Sequence, residues 1–574
     1  MPFQNTAPVA REPPPGYSSG VLRLVVIVSL LAGAALACAA APRCDRLLVG
    51  GVVHTPSGVQ RLDVAIAEGR IVALVPSGGA GAWRRAASEV VDLAGGHVFA
   101  GFTESHGHLV GYGAALEQVD LRDAAGLDEV VARVRTAAAK VPAGTWVMGR
   151  GWDQNLWPEK RFPTNEMLTA AVPDHPVLLR RVDGHAALAN ARALAAAGIT
   201  ATTKDPPGGR ILRDAAGRPT GVVVDTAEEL LDRAVPAPTA ADIERRVLLA
   251  ARHLAAFGVT EIHDAGTSRA ELAMLRALAQ AGRLPVRVYV ILDGGDDTLL
   301  EQEFAAGPQA RRDGMLAVRA VKLYADGALG SRGALLSAAY TDEPSTRGLE
   351  VTPEARLADV VRRAAKAGFQ PCIHAIGDAA VTRVLDIYQR EMGARGDLLR
   401  PRVEHAQIVR PEDVPRFAAL GAVASVQPTH CTSDMPWAPS RLGEARVAWA
   451  YRWRSLLAAG ARLCLGSDVP VESPDPRLGI WAAVTRRTQQ GTPAGGWNPG
   501  EALTVTDAVA GYTTWAAAAG FEEDWRGSCA PGYAADLTIF DRDPFAGEPA
   551  GILQARVVRT VVAGRDAFAT GSGL

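Results

Sequence analysis

The chain has 574 residues, 60 Lys and Arg against 62 Asp and Glu, and is 48% hydrophobic and 21% charged. This is enough chain for more than one unit around a large core, with an ordinary globular composition. The balanced charge, with no basic stripe and no acidic tail, excludes a nucleic-acid binder and a long solvating segment.

The N-terminus differs from the rest. Residues 1–20 are polar and Pro-rich, and residues 24–41 are an uncharged apolar run whose core has the length of a secretory h-region. Ala35-Leu-Ala-Cys38 is similar to a bacterial lipoprotein cleavage box, with the usual Leu displaced by one place. The expectation is export to the cell envelope with a lipid anchor at Cys38. A plain signal peptide or a single membrane anchor is the alternative, since the run barely reaches spanning length. Residues 1–43 are therefore set apart as leader and linker. Cys44, Cys372, Cys431, Cys464 and Cys529 are far apart with no C-x-x-C pair, so no disulfide framework is implied.

Residues 44–95 read as short strands joined by Gly turns, and residues 526–574 repeat that character. The two ends are expected to pair into one small β-sandwich, against the alternative of two independent flaps. Residues 96–525 alternate apolar strand candidates with helical stretches such as 241–257, where Ile243, Val247, Leu248, Leu254 and Phe257 fall near helical spacing. Eight strands are counted, at 97–103, 259–263, 286–292, 318–324, 369–374, 402–405, 423–427 and 463–467. The expected class is α/β, a (β/α)₈ TIM barrel. Residues from about 121 to 236, with a strand at 177–182, read as an insertion long enough to cap the barrel mouth.

Six residues fall at or near the ends of those strands: His106, His108, Lys322, His374, His405 and Asp468. Ligands at successive strand ends converge only in a barrel, whose active site lies at the C-terminal ends of its strands. Residues i and i+2 of an extended strand share a side, so His106 and His108 can face one ion. Neutral imidazoles suit zinc and its neighbours, and Asp468 adds an oxygen ligand that can also take a proton from water. A lysine carboxylated by carbon dioxide is an anion able to bridge two ions roughly 3.5–4 Å apart. Lys322 is read that way, or else as paired with Asp326 beside a single ion.

The motifs as a set identify the chain as similar to the amidohydrolase superfamily, in amidohydrolase family 3, the YtcJ-like metal-dependent hydrolases. They include Gly101-Phe-Thr-Glu-Ser-His-Gly-His-Leu109, Gly149-Arg-Gly-Trp-Asp-Gln-Asn155, Arg181-Val-Asp-Gly-His-Ala186, Val321-Lys-Leu-Tyr-Ala-Asp326, Ile373-His-Ala-Ile-Gly-Asp378, Val403-Glu-His-Ala-Gln407, Leu465-Gly-Ser-Asp-Val-Pro470 and Pro531-Gly-Tyr-Ala-Ala-Asp-Leu537. The resemblance spans nearly all of residues 44–567. It implies a TIM barrel with a sandwich from both ends, one or two divalent ions, usually zinc, and hydrolysis of C–N bonds. By residue match it gives the six residues their metal-site roles, Lys322 as the carboxylated bridge. The family commonly has Asp two places before the first histidine, and Glu104 stands there, which implies altered support of the ligands rather than a lost site.

The implied mechanism uses Asp468 as proton shuttle between attacking water and departing amine. His185 and Asp183 are expected to hold the substrate carbonyl or close the pocket. Trp152 and Asp153 are candidate wall residues and His430 a pocket residue. His54, His97, His175 and His253 are expected to be structural or solvated, and His263 to be a core or a pocket histidine. The leading reading is an exported amidohydrolase acting on a linear or cyclic amide, such as an N-acyl or N-formyl compound, with a homodimer as its assembly. A deaminase, an esterase or carbamate hydrolase, and a metal-binding envelope lipoprotein without catalysis are the alternatives.

Overall fold

The computed structural model describes residues 43–181, 186–206, 209–309 and 314–571. Cys38 and the apolar run before it, and also Asp183 and His185, lie outside these residues. Among the described residues no helix is long and apolar enough to cross a membrane.

Eight parallel strands pair in chain order: β1 (Phe102–Gly107), β2 (Val259–Thr267), β3 (Arg287–Asp293), β4 (Leu316–Tyr324), β5 (Gln370–Ala375), β6 (Arg402–His405), β7 (Val423–Val426) and β8 (Arg462–Leu465). They form the expected barrel. Strand β8 meets β1 without a full ladder. The ring closes just beyond β8, where the amide of Asp468 donates to the His106 carbonyl and that of His108 to the Val469 carbonyl, each at 2.8 Å. Closure therefore places Asp468 directly beside the His-x-His pair.

The helices between strands are set by local chemistry. Thr239 and Ser268 each form a reciprocal capping box, with Asp242 and Glu271, at the starts of helices Ala240–Ala256 and Arg269–Gln280. Helix Ala240–Ala256 buries Ile243, Val247 and Leu254, the stripe its spacing anticipated.

The first barrel strand begins later than expected. The run 97–103 is two elements. His97–Ala100 pairs antiparallel with Leu537–Phe540 and parallel with Arg46–Thr55, outside the barrel, whereas Phe102–Gly107 pairs with β2. Gly101 makes the junction, its amide donating to the Asp536 carbonyl at 2.8 Å. A Cβ on Gly101 would lie 2.3 Å from the Thr260 side chain, so no larger residue fits there.

Both chain ends enter one eight-stranded sheet, ordered Arg565–Ala569, Val557–Val562, Leu537–Phe540, His97–Ala100, Arg46–Thr55, Gly58–Ala67 and Arg70–Pro76, with Glu89–Asp92 also on Arg46–Thr55. A buried ionic cluster joins this sheet to the barrel. The Asp536 carboxylate accepts from Arg287 Nε at 2.7 Å and Arg526 Nε at 3.0 Å, and Arg526 also pairs with Glu522 and Glu261.

The inserted segment builds a third sheet of six strands, Gly209–Arg213, Pro219–Asp225, Ala186–Ala189, Val177–Arg181, Val147–Trp152 and Val119–Asp120 in spatial order. Its apolar side chains, among them Trp152, Trp157, Leu179 and Leu188, form a core containing no barrel residue.

Candidate active site

Strand β1 is buried along its length, and its penultimate residue, His106, is fully enclosed. His106 Nδ1 lies 2.5 Å from Glu404 Oε2, and Nε2 lies 3.0 Å from Lys322 Nζ and 3.5 Å from Asp468 Oδ1. His108, one residue past β1, donates from Nδ1 to the Ala265 carbonyl at 2.8 Å, leaving Nε2 3.1 Å from Asp468 Oδ1. His405 Nδ1 donates to Gln427 Oε1 at 2.8 Å. An oxygen acceptor thus sits on Nδ1 of three imidazoles and turns Nε2 of His106 and His108 toward Asp468, the outer support typical of metal-binding histidines.

His374, near the end of β5, packs its ring 4.4 Å from that of His405, and His405 lies 4.9 Å from His106. The buried His374 Nε2 has no hydrogen-bond partner and faces Asp326 Oδ1 at 3.6 Å. Donor atoms of His106, His405 and Asp468 all lie within 4.8 Å of one another. Inward lone pairs, an orphaned ring nitrogen and a carboxylate make a donor set that fits a divalent transition metal.

The electrostatics agree. Burial, helped by the Lys322 charge, holds His106 down at about 4 and His374 at about 3, and burial also keeps His405 well below the ordinary value. All three are neutral at pH 7, the form that coordinates a metal. Burial alone would raise Asp468, but its bond to His108 carries it well below the usual carboxylate range. Burial lowers Lys322 despite the opposing charges of Glu404 and Asp468. Its ammonium does not pair with Asp326. That carboxylate accepts instead from the amides of Leu335, Ile376 and Gly377 at 2.8–3.0 Å, and burial raises it to about 7.

Two buried carboxylates hold the ligands in place. Glu404 is fixed by Arg402, whose Nε lies 2.7 Å from Glu404 Oε1, and Arg402 also donates to the Ser105 carbonyl at 2.6 Å and Ser425 Oγ at 2.8 Å. Strict alternation would send consecutive Glu404 and His405 to opposite sides of β6. The left-handed backbone of His405 (φ 72°) and Ala406 (φ 42°) turns the chain there, so that both side chains reach His106. Glu104 accepts from the His106 amide at 3.0 Å and from the Ser467 amide and hydroxyl at 2.9 and 2.7 Å. It ties β1 to the turn carrying Asp468, itself at φ 60°. A Cβ at Gly466 would meet Glu104 Oε1 at 2.3 Å, so the longer acid is accommodated by a glycine opposite.

All six expected site residues thus gather at one end of the barrel. His430 joins them, its ring stacked on His405 at 6.0 Å. Trp152 does not serve as a wall residue. It is fully buried in the inserted segment's own core, with its indole N–H donating to the Leu179 carbonyl at 2.7 Å. Asp153 is engaged by Arg181 at 2.8 Å. Asp183 and His185 lie outside the described residues. His263 is a core histidine, taking a hydrogen bond from Arg402 at 2.9 Å. Sequence reasoning missed Arg402, Glu404 and Gln427. Two charges two places apart in a four-residue strand were the available signal for the first two, and Gln427 had none.

The amidohydrolase family profile matches residues 89–568. The chain belongs to the amidohydrolase family. This amidohydrolase is 34% identical over 487 residues to the family protein YtcJ of Bacillus subtilis (strain 168), covering 84% of this chain and 90% of YtcJ. It is 30% identical over 499 residues to the N-substituted formamide deformylase of Arthrobacter pascens, covering 83% and 89%. Among solved structures, an uncharacterized metal-dependent hydrolase from Pyrococcus horikoshii OT3 superposes with a TM-score of 0.73 at 30% identity, over 88% of this chain and 98% of that one. The protein is accordingly a metal-dependent hydrolase acting on carbon–nitrogen bonds.

Proposed function

We propose that this amidohydrolase cleaves the amide bond of a small N-acyl or N-formyl compound, with His106, His108, His374, His405, Asp468 and a carboxylated Lys322 holding one or two divalent ions, zinc in preference. The observation that carries the reading is the convergence of four imidazoles, Lys322 and Asp468 at one end of the barrel, with Nδ1 of His106, His108 and His405 each held by an oxygen atom. Similarity to a formamide deformylase supports the choice of bond.

A divalent ion held by these residues would supply water activated for attack at neutral pH and a Lewis acid for the substrate carbonyl. Asp468, held ionised and within 3.1–3.5 Å of two imidazoles, accepts the proton of the attacking water and returns it to the departing nitrogen. His106 and Glu404 keep the inner wall rigid, and His430 lines the side of the pocket next to His405. Lys322 is buried with its ammonium form disfavoured, which exposes the neutral amine that carbon dioxide requires. The enzyme is further proposed to act in the cell envelope, tethered through Cys38.

Purified protein loaded with zinc and offered matched panels of N-substituted formamides, acetamides, amino-heterocycles and esters tests the reading. Turnover of formamides or other amides is expected. Turnover confined to deamination of amino-heterocycles, or to esters and carbamates, overturns it. Mass detection of a carboxylated Lys322 in the metal-loaded protein tests the bridge separately.

A further inference from the structure

A second set of metal-ligating side chains lies outside the barrel, on the sheet formed by the chain ends. His54 comes from strand Arg46–Thr55, His97 from the adjacent strand His97–Ala100, and Asp543 from the loop after Leu537–Phe540. His54 Nε2 lies 3.2 Å from His97 Nδ1, and Asp543 Oδ2 lies 3.7 Å from the first and 3.8 Å from the second. The other carboxylate oxygen is already taken, Asp543 Oδ1 accepting from the Phe545 amide at 2.8 Å, which aims Oδ2 at the imidazoles. The His54 ring is stacked on Phe99 with centroids 3.8 Å apart.

An imidazole–imidazole hydrogen bond accounts for the 3.2 Å separation. It does not account for a carboxylate oxygen placed almost evenly between the two nitrogens. An ion equidistant from the three atoms lies about 2.1 Å from each in their plane and about 2.2 Å from each when displaced toward a fourth, tetrahedral ligand, within the range of zinc bonds to imidazole and carboxylate, about 2.0–2.2 Å. The side chains are 17%, 22% and 19% exposed, so water can complete a tetrahedron from the open side. Two imidazoles favour a zinc-class ion over calcium or magnesium.

We propose that His54, His97 and Asp543 form a structural site for a zinc-class divalent ion that ties the N-terminal and C-terminal parts of the end sheet together. An ion here links residues 54 and 97 to residue 543, so it closes most of the chain into a loop independently of catalysis.

The test is metal stoichiometry on the intact protein. Metal-free enzyme is reloaded with zinc alone, dialysed, and its zinc counted per chain in the wild type and in His97→Gln and Asp543→Asn. The wild type is expected to hold one ion more than either variant, with turnover unchanged within twofold. Equal zinc counts in all three proteins overturn the proposal. Should a variant fail to fold, zinc-edge anomalous scattering from wild-type crystals decides: a peak among the three side chains supports the site, and its absence with the barrel site filled overturns it.

Discussion

Glu104 in the barrel and Asn190 in the inserted segment are both fully buried polar residues that stitch distant backbone together, and they do it with different chemistry. Asn190 accepts from the amides of Val177 and Ala193 at 3.0 Å each and donates to the carbonyls of Val172 and His175 at 3.1 and 2.8 Å. It is neutral, saturated and surrounded by apolar packing, so it organises the unit and does nothing else. Glu104 bonds the His106 and Ser467 amides, and burial pushes it up to about 7 against those same bonds, with the Asp468 charge beyond them. Glu404 and Arg402 form a buried charged pair behind His106. Of these two stitches, the acidic one lies against the ligands, and the neutral one sits in a unit where only shape matters.

Breaking the charged side at its centre gives the largest effect. Asp468→Asn removes the proton acceptor while keeping the side chain's size. Turnover is expected to fall about 10²–10⁴-fold, the usual worth of a positioned acid–base group, with metal content retained. A loss of only a few-fold would take the shuttle away from Asp468.

The support behind His106 comes next. Glu404→Gln is expected to weaken metal affinity about 10–100-fold and, by leaving Arg402 buried without its partner, to cost about 3–5 kcal/mol. Metal titration and denaturant unfolding read the two effects. Unchanged affinity would reduce Glu404 to a purely structural partner of Arg402.

The neutral side should respond in stability alone. Asn190→Ala orphans buried amides and carbonyls at a cost of about 3 kcal/mol or more, since each such group costs about 1–3. Faster hydrogen exchange in strand Val177–Arg181 with unaltered metal affinity is the expected pair of results. Altered metal affinity would couple the inserted segment to the ligands.

The smallest effect is one of pH, at the charged junction between barrel and end sheet. Burial opposes ionisation of Asp536, yet Arg287 and Arg526 bring it from 3.8 to about 2. A depressed carboxylate stabilises the fold above its unfolded value and loses that contribution as pH falls through the folded one. About 2 kcal/mol is therefore expected to disappear between pH 4 and pH 2, and to be absent from the acid limb of Asp536→Asn.

The barrel and its six inward residues were legible because they lie in or just after five apolar runs, His106 and His108 sharing one, and pattern alone places them near strand ends. The start of the barrel was not, because the apolar run 97–103 continues unbroken through Gly101, and only the fold shows the chain passing from one sheet into another. Glu404 was visible inside a motif, but its partner His106 is 298 residues away, a pairing no local pattern encodes. Trp152 misled for a related reason. An aromatic beside a polar motif suits a pocket wall, and only the inserted segment's separate core shows where its ring is spent. His54 and His97 each looked solitary, since the strands that bring them together lie 43 residues apart.

The central claim is that the gathered strand-end residues work as a metal centre. The direct measurement follows turnover of an amide substrate while the protein is stripped with a strong chelator and then titrated with zinc. Activity should vanish on stripping and return with zinc in the wild type, whereas His106→Ala should stay inactive at the same zinc concentrations. Full activity in protein shown to be metal-free would contradict the account.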